Sequence, residues 1–293
     1  MPLISMKEML ADARQRGYSA SYCESWNLES LQAVVEAAEA EKSPIIVGFN
    51  GGFLLRSGTR SLEQFGYYAS LRAALARATV PVTFLLNESD SIEQIEQAIE
   101  LGFDAVMPEN EDLPQEDYLR MVKHVVAKAH AKGVTVEAQV GHLADASGGT
   151  EAQPTDPEAA RAFVKATNID ALGVAVGNVH ILTSGKRSLD LHILQKIKAA
   201  VDIPLVLHGG TGIPLEQAPQ CIELGVAKVN FGTGLKQAYL RAVAENLAHY
   251  KEPMSPHPFL GMGGEHDILI AGREAVKVET AKLLRAFRSS GKA

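Results

Sequence analysis

Eight short apolar runs recur along the chain, and longer segments with helical periodicity separate them. Most of the runs are uniformly apolar rather than alternating, which is typical of parallel strands covered on both faces. The runs are YSASYC (18–23), SPIIVGFN (43–50), VPVTFLLN (80–87), FDAVMPE (103–109), VTVEAQVG (134–141), ALGVAVG (171–177), IPLVLHG (203–209) and AKVNFGT (227–233). This alternation limits the chain to folds that bury a parallel sheet between helices.

The number of units favours a closed barrel over an open sheet. The helical patterns cover 27–42, 91–102, 114–133, 157–166, 189–200, 214–224 and 234–250, and a further C-terminal helix is predicted over 272–290. Eight strand-helix units in 293 residues suit an α/β fold of the (β/α)8 or TIM-barrel type. A doubly wound sheet is the structural alternative. We expect residues 1–293 to form a single domain.

Composition excludes several classes of protein. Hydrophobic residues make up 46% of the chain, enough for a large core, and the formal net charge of −7 disfavours general binding to nucleic acid. The only two cysteines, Cys23 and Cys221, lie far apart, so a disulfide framework is not expected. No signal peptide or membrane-spanning run is evident. These features predict a soluble, cytoplasmic protein that binds neither nucleic acid nor membrane.

Polar residues follow the apolar runs, and in a barrel this is where chemistry resides. His180 lies three residues beyond the sixth run, and His208 falls within the seventh. A lone histidine at such a place is more simply a buried, hydrogen-bonded side chain. Two histidines at neighbouring strand ends, beside carboxylates, instead suit a pair of metal ligands.

Two glycine-rich loops follow the last two runs. They are HGGTGIP (208–214) and NFGTG (230–234). Barrels commonly hold a phosphate at these two loops, using backbone N–H groups and hydroxyls such as those of Thr211 and Thr233. The simpler alternative is a pair of tight turns that require glycine for their geometry.

The chain resembles the class II, zinc-dependent ketose-bisphosphate aldolases of the fructose- and tagatose-bisphosphate type. The likeness runs almost end to end. It is carried by NLESLQAVVEAAEAEKSPIIV, GVTVEAQVG, IDALGVAVGNVH, VDIPLVLHGGTGIP and LGVAKVNFGTGLKQA. The resemblance implies a barrel that assembles as a homodimer or homotetramer. It also implies a sugar-phosphate substrate and a divalent metal that polarises a ketose carbonyl.

The resemblance implies a metal site with one altered ligand. His180 and His208 match two of the family's three zinc-binding histidines. The family's third strand carries a catalytic Asp followed by the third zinc-binding His, and those positions are Asn87 and Glu88 here. Glu88, His180 and His208 would form a two-His, one-carboxylate set that accepts Zn²⁺ and also Mn²⁺, Fe²⁺ or Co²⁺. A monovalent cation is a further cofactor compatible with the resemblance.

The implied phosphate site is partly retained. Five positions match the family's two phosphate-binding stretches, with Thr in place of the more usual Ser at 211; they are Gly209, Gly210, Thr211, Asn230 and Thr233. The family's Asp between the last two is Gly232, and its Gly after the sixth-strand His is Ile181. A Ser that assists the carbonyl is replaced by Asn50.

The implied acid–base machinery is rewritten. Asn87 cannot transfer a proton, although its amide can hydrogen-bond a hydroxyl or an oxyanion. Glu24 stands where the family has Asn and is the first candidate for the base, ahead of His142 and Glu109. Three functions therefore stay open: a divergent metal-dependent aldolase for a phosphorylated ketose or related sugar, a metal-dependent epimerase or isomerase, and an inactive sugar-phosphate binder.

Overall fold

The computed structural model describes residues 2–56, 62–110, 112–145 and 152–293. Eight parallel strands close into a barrel in the order β1-β10-β9-β7-β5-β4-β3-β2, and β6 and β8 form a separate two-stranded sheet. The strands are β1 (Ala20–Glu24), β2 (Ile45–Asn50), β3 (Val82–Ser89), β4 (Ala105–Pro108), β5 (Thr135–Val140), β6 (Ala144–Asp145), β7 (Ala171–Val174), β8 (Val179–His180), β9 (Leu205–Leu207) and β10 (Val226–Phe231). The eight apolar runs are the eight barrel strands, so the predicted (β/α)8 fold is confirmed.

Helices surround the barrel. They are α1 (Met6–Arg16), α2 (Leu28–Glu41), α3 (Gly51–Arg56), α4 (Leu62–Ser70), α5 (Arg72–Leu75), α6 (Ile92–Glu100), α7 (Gln115–Ala131), α8 (Pro157–Thr167), α9 (Leu191–Ala200), α10 (Ala218–Glu223), α11 (Thr233–Leu247) and α12 (Ile268–Ala286). None of the helices in the described ranges combines the length and the apolarity that crossing a bilayer requires. The predicted extra C-terminal helix is α12, which packs against α2 and α11.

Helix α1 closes the N-terminal end of the barrel. Its residues Met6, Met9 and Leu10 are fully buried in one cluster with inward-facing strand residues such as Ile46 and Leu85. Ser5 caps the helix in a capping box with Glu8, and Gly17 ends it in the left-handed region. The sequence pattern did not predict this helix. Because α1 seals one end, ligands can enter the barrel only from the opposite, C-terminal end.

Strand β3 continues beyond the predicted end of its apolar run. The run was predicted to end at Asn87, but β3 extends to Ser89. Its pairing with β4 shifts register between Leu86 and Ser89, and Glu88 has a φ of 50°. A bulge of this kind re-aims side chains, so that two consecutive residues can face the barrel interior instead of alternating. The polar pair Asn87 and Glu88 owes its placement to this irregularity.

Candidate active site

A cleft of about 540 Å³ opens at the C-terminal end of the barrel. Most of the residues predicted for the site border it, namely Glu24, Asn50, Asn87, Glu88, His180, Gly209, Thr211, Asn230, Gly232 and Thr233. His208 lies just beneath and is 1% exposed. Gly210 does not border the cleft, because it faces the Phe231 ring and the Asn230 carbonyl. The fold thus brings nearly the whole predicted set together.

Glu88, His180 and His208 form a compact cluster, called here the Glu88 cluster. One potential ligand atom from each lies within 4.8 Å of the other two. Nδ1 of His208 is 2.7 Å from Oε1 of Glu88, and Nε2 of His180 is 4.0 Å from the same oxygen. The imidazole centroids are 5.7 Å apart. These spacings would let one small ion contact all three residues.

A buried ion pair holds the far side of His208. Nε2 of His208 lies 2.9 Å from Oε1 of Glu137, and Nζ of Lys228 lies 2.8 Å from Oε2 of the same carboxylate. Glu137 and Lys228 are both fully buried. Lys228 also donates to Oδ1 of Asn230 at 2.6 Å. A carboxylate that occupies one ring nitrogen fixes the tautomer and leaves the other nitrogen for a metal.

The charges of Glu88, His208, Glu137 and Lys228 reinforce one another. Burial opposes ionisation of both Glu88 and His208. For His208 it is outweighed by the hydrogen bonds and charges of Glu137 and Glu88, and for Glu88 by the hydrogen bond and charge of His208. The pKa of His208 rises to about 9, and the pKa of Glu88 falls below its ordinary value. The pKa of Glu137 is also lowered, because Lys228 and His208 overcome the effect of its burial. Without metal, the cluster is therefore an imidazolium held between two carboxylates.

The donor set of the Glu88 cluster fits a divalent transition metal. Two imidazoles and one carboxylate are ligands that zinc, manganese, iron and cobalt accept. Nδ1 of His208 points at Glu88 while its Nε2 is engaged by Glu137. Oε2 of Glu88, the oxygen turned from His208, accepts from Nδ2 of Asn50 at 2.5 Å. Glu88 and His208 are thus already oriented from behind by Asn50 and Glu137.

Asn87 lies against the amide of Asn230. Nδ2 of Asn230 donates to Oδ1 of Asn87 at 3.3 Å, and Asn87 is 2% exposed. An amide has no proton to give at neutral pH, but it can donate a hydrogen bond to a substrate oxygen. Its position therefore supports a binding or oxyanion-stabilising role rather than proton transfer.

Glu24 is paired with a lysine that the sequence analysis did not single out. Nζ of Lys236 lies 2.5 Å from Oε1 of Glu24 and 4.6 Å from the centroid of the Phe53 ring. Burial raises the pKa of Glu24, and the charge and hydrogen bond of Lys236 only partly offset this. A carboxyl with a raised pKa at a cleft is a reasonable proton acceptor.

Gly232 leaves room for that carboxylate. A Cβ at position 232 would overlap Oε2 of Glu24. The backbone of Gly232 has a φ of −133°, so a side chain there meets no left-handed strain. The glycine is therefore explained by its neighbour and not by its own conformation.

Gly232→Ala should consequently destabilise the protein by roughly 1 kcal/mol, the low end of small-to-large substitutions, because the mobile carboxylate end can move off Lys236. In a Glu24→Ala background the same change should cost almost nothing, which urea unfolding of the wild-type protein, the two single variants and the double variant can measure. Strictly additive effects of the two substitutions would contradict the explanation.

The two glycine-rich loops meet at the same side of the cleft. Gly209 has a φ of 66°, and a Cβ there would overlap the Val179 carbonyl. Oγ1 of Thr211 accepts from the backbone N–H of Gly234 at 3.0 Å and so ties the two loops together. Ile181 also has a positive φ, of 50°, and borders the cleft. The loops are close enough to bind one anionic group jointly.

Four residues in or beside the cleft were not predicted from the sequence: Tyr22, Glu137, Lys228 and Lys236. A signal was present for two of them, since Glu137 and Lys228 are charged residues inside apolar runs, and such residues are rarely buried unless paired. The two weaker candidates for the base separate in space. Glu109 borders the main cleft, whereas His142 borders an adjoining cavity of about 220 Å³.

Comparisons with known proteins agree with the geometry. The model of the family described as fructose-bisphosphate aldolase class-II matches residues 4–292. Over 299 aligned residues, the chain is 38% identical to a fructose-bisphosphate aldolase of Geobacillus stearothermophilus, covering 100% of this chain and 99% of that protein. A fructose-bisphosphate aldolase of Staphylococcus aureus is 34% identical, with 100% of both chains covered.

A solved structure gives the same result. The crystal structure of the YdjI aldolase from Escherichia coli K12 superposes with a TM-score of 0.82 at 32% identity and covers 99% of both chains. The matching family model and the full-length relatives above 30% identity leave one assignment. The chain belongs to the class II fructose-bisphosphate aldolase family.

Proposed function

We propose that this protein catalyses the reversible aldol cleavage of a phosphorylated ketose, with a divalent metal held by Glu88, His180 and His208. The observation that carries the proposal is the Glu88 cluster itself, because it lies in the same cleft as the two glycine-rich loops. The relatives described above are named aldolases, which supports cleavage over the epimerase and over the inactive binder.

The chemistry needs three roles. A bound divalent ion would supply the Lewis acid that polarises the ketose carbonyl. A base must take the proton of the substrate hydroxyl, so that this oxygen becomes the aldehyde carbonyl as the carbon–carbon bond breaks. The electron pair of that bond then passes into the enediolate of the other half. The third role is that of an acid, which must protonate this enediolate to give the ketone.

Residues of this chain can be assigned to the base and to the groups that bind the substrate. Glu24 is the proposed base, through Oε2, the oxygen that does not bond Lys236. Asn87 and Asn50 would donate hydrogen bonds to substrate oxygens. Gly209, Thr211, Asn230, Gly232 and Thr233 are the residues proposed to bind the phosphate end. Gly210 would support this loop from behind.

We further propose Zn²⁺ as the resident metal, with a carboxylate making it a weaker Lewis acid than a three-histidine site would. A single domain over residues 1–293, a homodimeric or homotetrameric assembly and a cytoplasmic location complete the proposal. Both cysteines are buried and unpaired, as a reducing compartment would allow.

The test is product analysis by NMR. Metal-loaded protein should release a triose or its phosphate from one member of a panel of ketose phosphates, and chelator-treated protein should not. A stereoisomer without triose would instead identify an epimerase. No change in any substrate would leave only the inactive binder.

A further inference from the structure

The two ends of the cleft carry different charge. Around the barrel, β10 is four strands away from β4 in either direction, so the ends of these strands face each other across the opening. The loop after β10 leads into α11 with Lys236, while Glu109 and Asp112 follow β4. A substrate that spans the cleft therefore meets different surroundings at its two ends.

The β10 end holds one positively charged side chain, which is paired with the Glu24 carboxylate. Lys236 is the only Lys or Arg among the described residues that border the cleft. Its side chain is 33% exposed, and Glu24 and the Phe53 ring hold Nζ in place. The hydroxyls of Thr211 and Thr233 border the same part of the cleft. This end can bind one anionic group.

The opposite end offers negative charge. Asp90, Glu109 and Asp112 border it, together with the amide of Asn110. Glu109 accepts a hydrogen bond from Nε2 of Gln139 at 3.3 Å. A phosphate carries a charge of about −1.5 to −2 at neutral pH, and carboxylates that border the same end of the cleft would repel it.

We propose that the substrate is anionic at one end only: a ketose monophosphate whose aldehyde-forming half is uncharged and rich in hydroxyl groups. This inference rests on the proposed aldol cleavage and narrows its substrate class. Lys236 would hold the phosphate of the enediolate half. The three carboxylates would accept hydrogen bonds from hydroxyls of the other half and disfavour a second phosphate.

Two measurements on the metal-loaded protein test the two ends of the cleft independently. The first follows solvent deuterium exchange into dihydroxyacetone phosphate and into dihydroxyacetone. Lys236→Met should lower exchange into the phosphate about 10- to 100-fold more than exchange into dihydroxyacetone, the range for a lost hydrogen bond to a charged group, because loss of the Glu24 pairing acts on both ketones alike. Lys282→Met, which removes a charge outside the cleft, is the matched control. If Lys236→Met does not fold, Lys236→Gln replaces it.

The second measurement runs condensation with dihydroxyacetone phosphate. Both enantiomers of glyceraldehyde compete with glyceraldehyde 3-phosphate, which removes any assumption about stereochemistry. The neutral aldehyde should be preferred by about tenfold or more, and the preference should narrow as added salt screens the carboxylates. The double variant Asp90→Asn/Asp112→Asn should also narrow the preference for the neutral aldehyde.

A preference of the wild-type protein for glyceraldehyde 3-phosphate would overturn this inference about the substrate. If deuterium exchange were observed in the same protein, the proposed function would still stand. No fall in exchange into dihydroxyacetone phosphate in Lys236→Met, or an equal fall for both ketones, would overturn the role of Lys236 in binding the phosphate. Absence of exchange into either ketone would overturn the proposed function and this inference with it.

Discussion

Lys228→Met is expected to lower the free energy of unfolding by about 3–5 kcal/mol, the cost of removing one partner from a buried ion pair. Lys228 and Glu137 are fully buried, and their charged atoms lie 2.8 Å apart. Methionine fills a similar volume but leaves the Glu137 carboxylate with His208 as its remaining ionic partner. Urea unfolding of the two proteins measures the difference.

A surface pair provides the control. Lys132 and Glu100 lie 3.1 Å apart with side chains 55% and 67% exposed. Lys132→Met should cost at most about 1 kcal/mol, because water screens exposed pairs. The double variant Lys228→Met/Glu137→Gln should recover part of the loss, since the buried negative charge that Lys228 compensates is removed together with Lys228. A cost below about 1 kcal/mol for Lys228→Met alone would contradict the buried pair.

Glu88→Ala is expected to abolish stoichiometric metal binding. The substitution removes the only carboxylate of the Glu88 cluster and leaves two imidazoles. Elemental analysis should find about one ion per chain in the wild-type protein and close to none in the variant. Aldol cleavage should fall by at least about 10³-fold, because a Lewis acid contributes several kcal/mol to stabilisation of the transition state.

Two further variants make the metal prediction specific. Asp90→Ala removes a carboxylate two residues away that borders the same cleft but lies outside the Glu88 cluster, and it should retain the metal. His208→Ala should lose it. Unchanged metal content in both Glu88→Ala and His208→Ala would show that the ligand assignment is wrong.

The barrel was predictable from the sequence because parallel strands buried on both faces must be apolar throughout. The helices that pack on those strands have clear amphipathic patterns, so the predicted 27–42 and 114–133 match α2 and α7 closely. Helices α1 and α3–α5 were missed. The apolar face of α1 closes the end of the barrel. This helix comes before the first strand, so it is not part of a strand-helix unit whose pattern could predict it.

The site was predictable only in part. Residues at strand ends could be identified from their positions, because the C-terminal ends of all eight strands lie on one face of the barrel. The pairing of Glu24 with Lys236 could not, because it joins the first strand to a helix 212 residues later. The bulge that turns both Asn87 and Glu88 inward is likewise a tertiary feature, and an ideal strand would have placed only one of them in the barrel.

The central claim is that Glu88, His180 and His208 hold the metal of an aldolase site. A crystal structure of metal-loaded protein with bound dihydroxyacetone phosphate, recorded at the absorption edge of the metal, tests it most directly. We expect one anomalous peak at about 2.0–2.2 Å from a Glu88 carboxylate oxygen and from one nitrogen of each histidine. A peak elsewhere, or an intact hydrogen bond between Glu88 and His208 in the loaded protein, would contradict it.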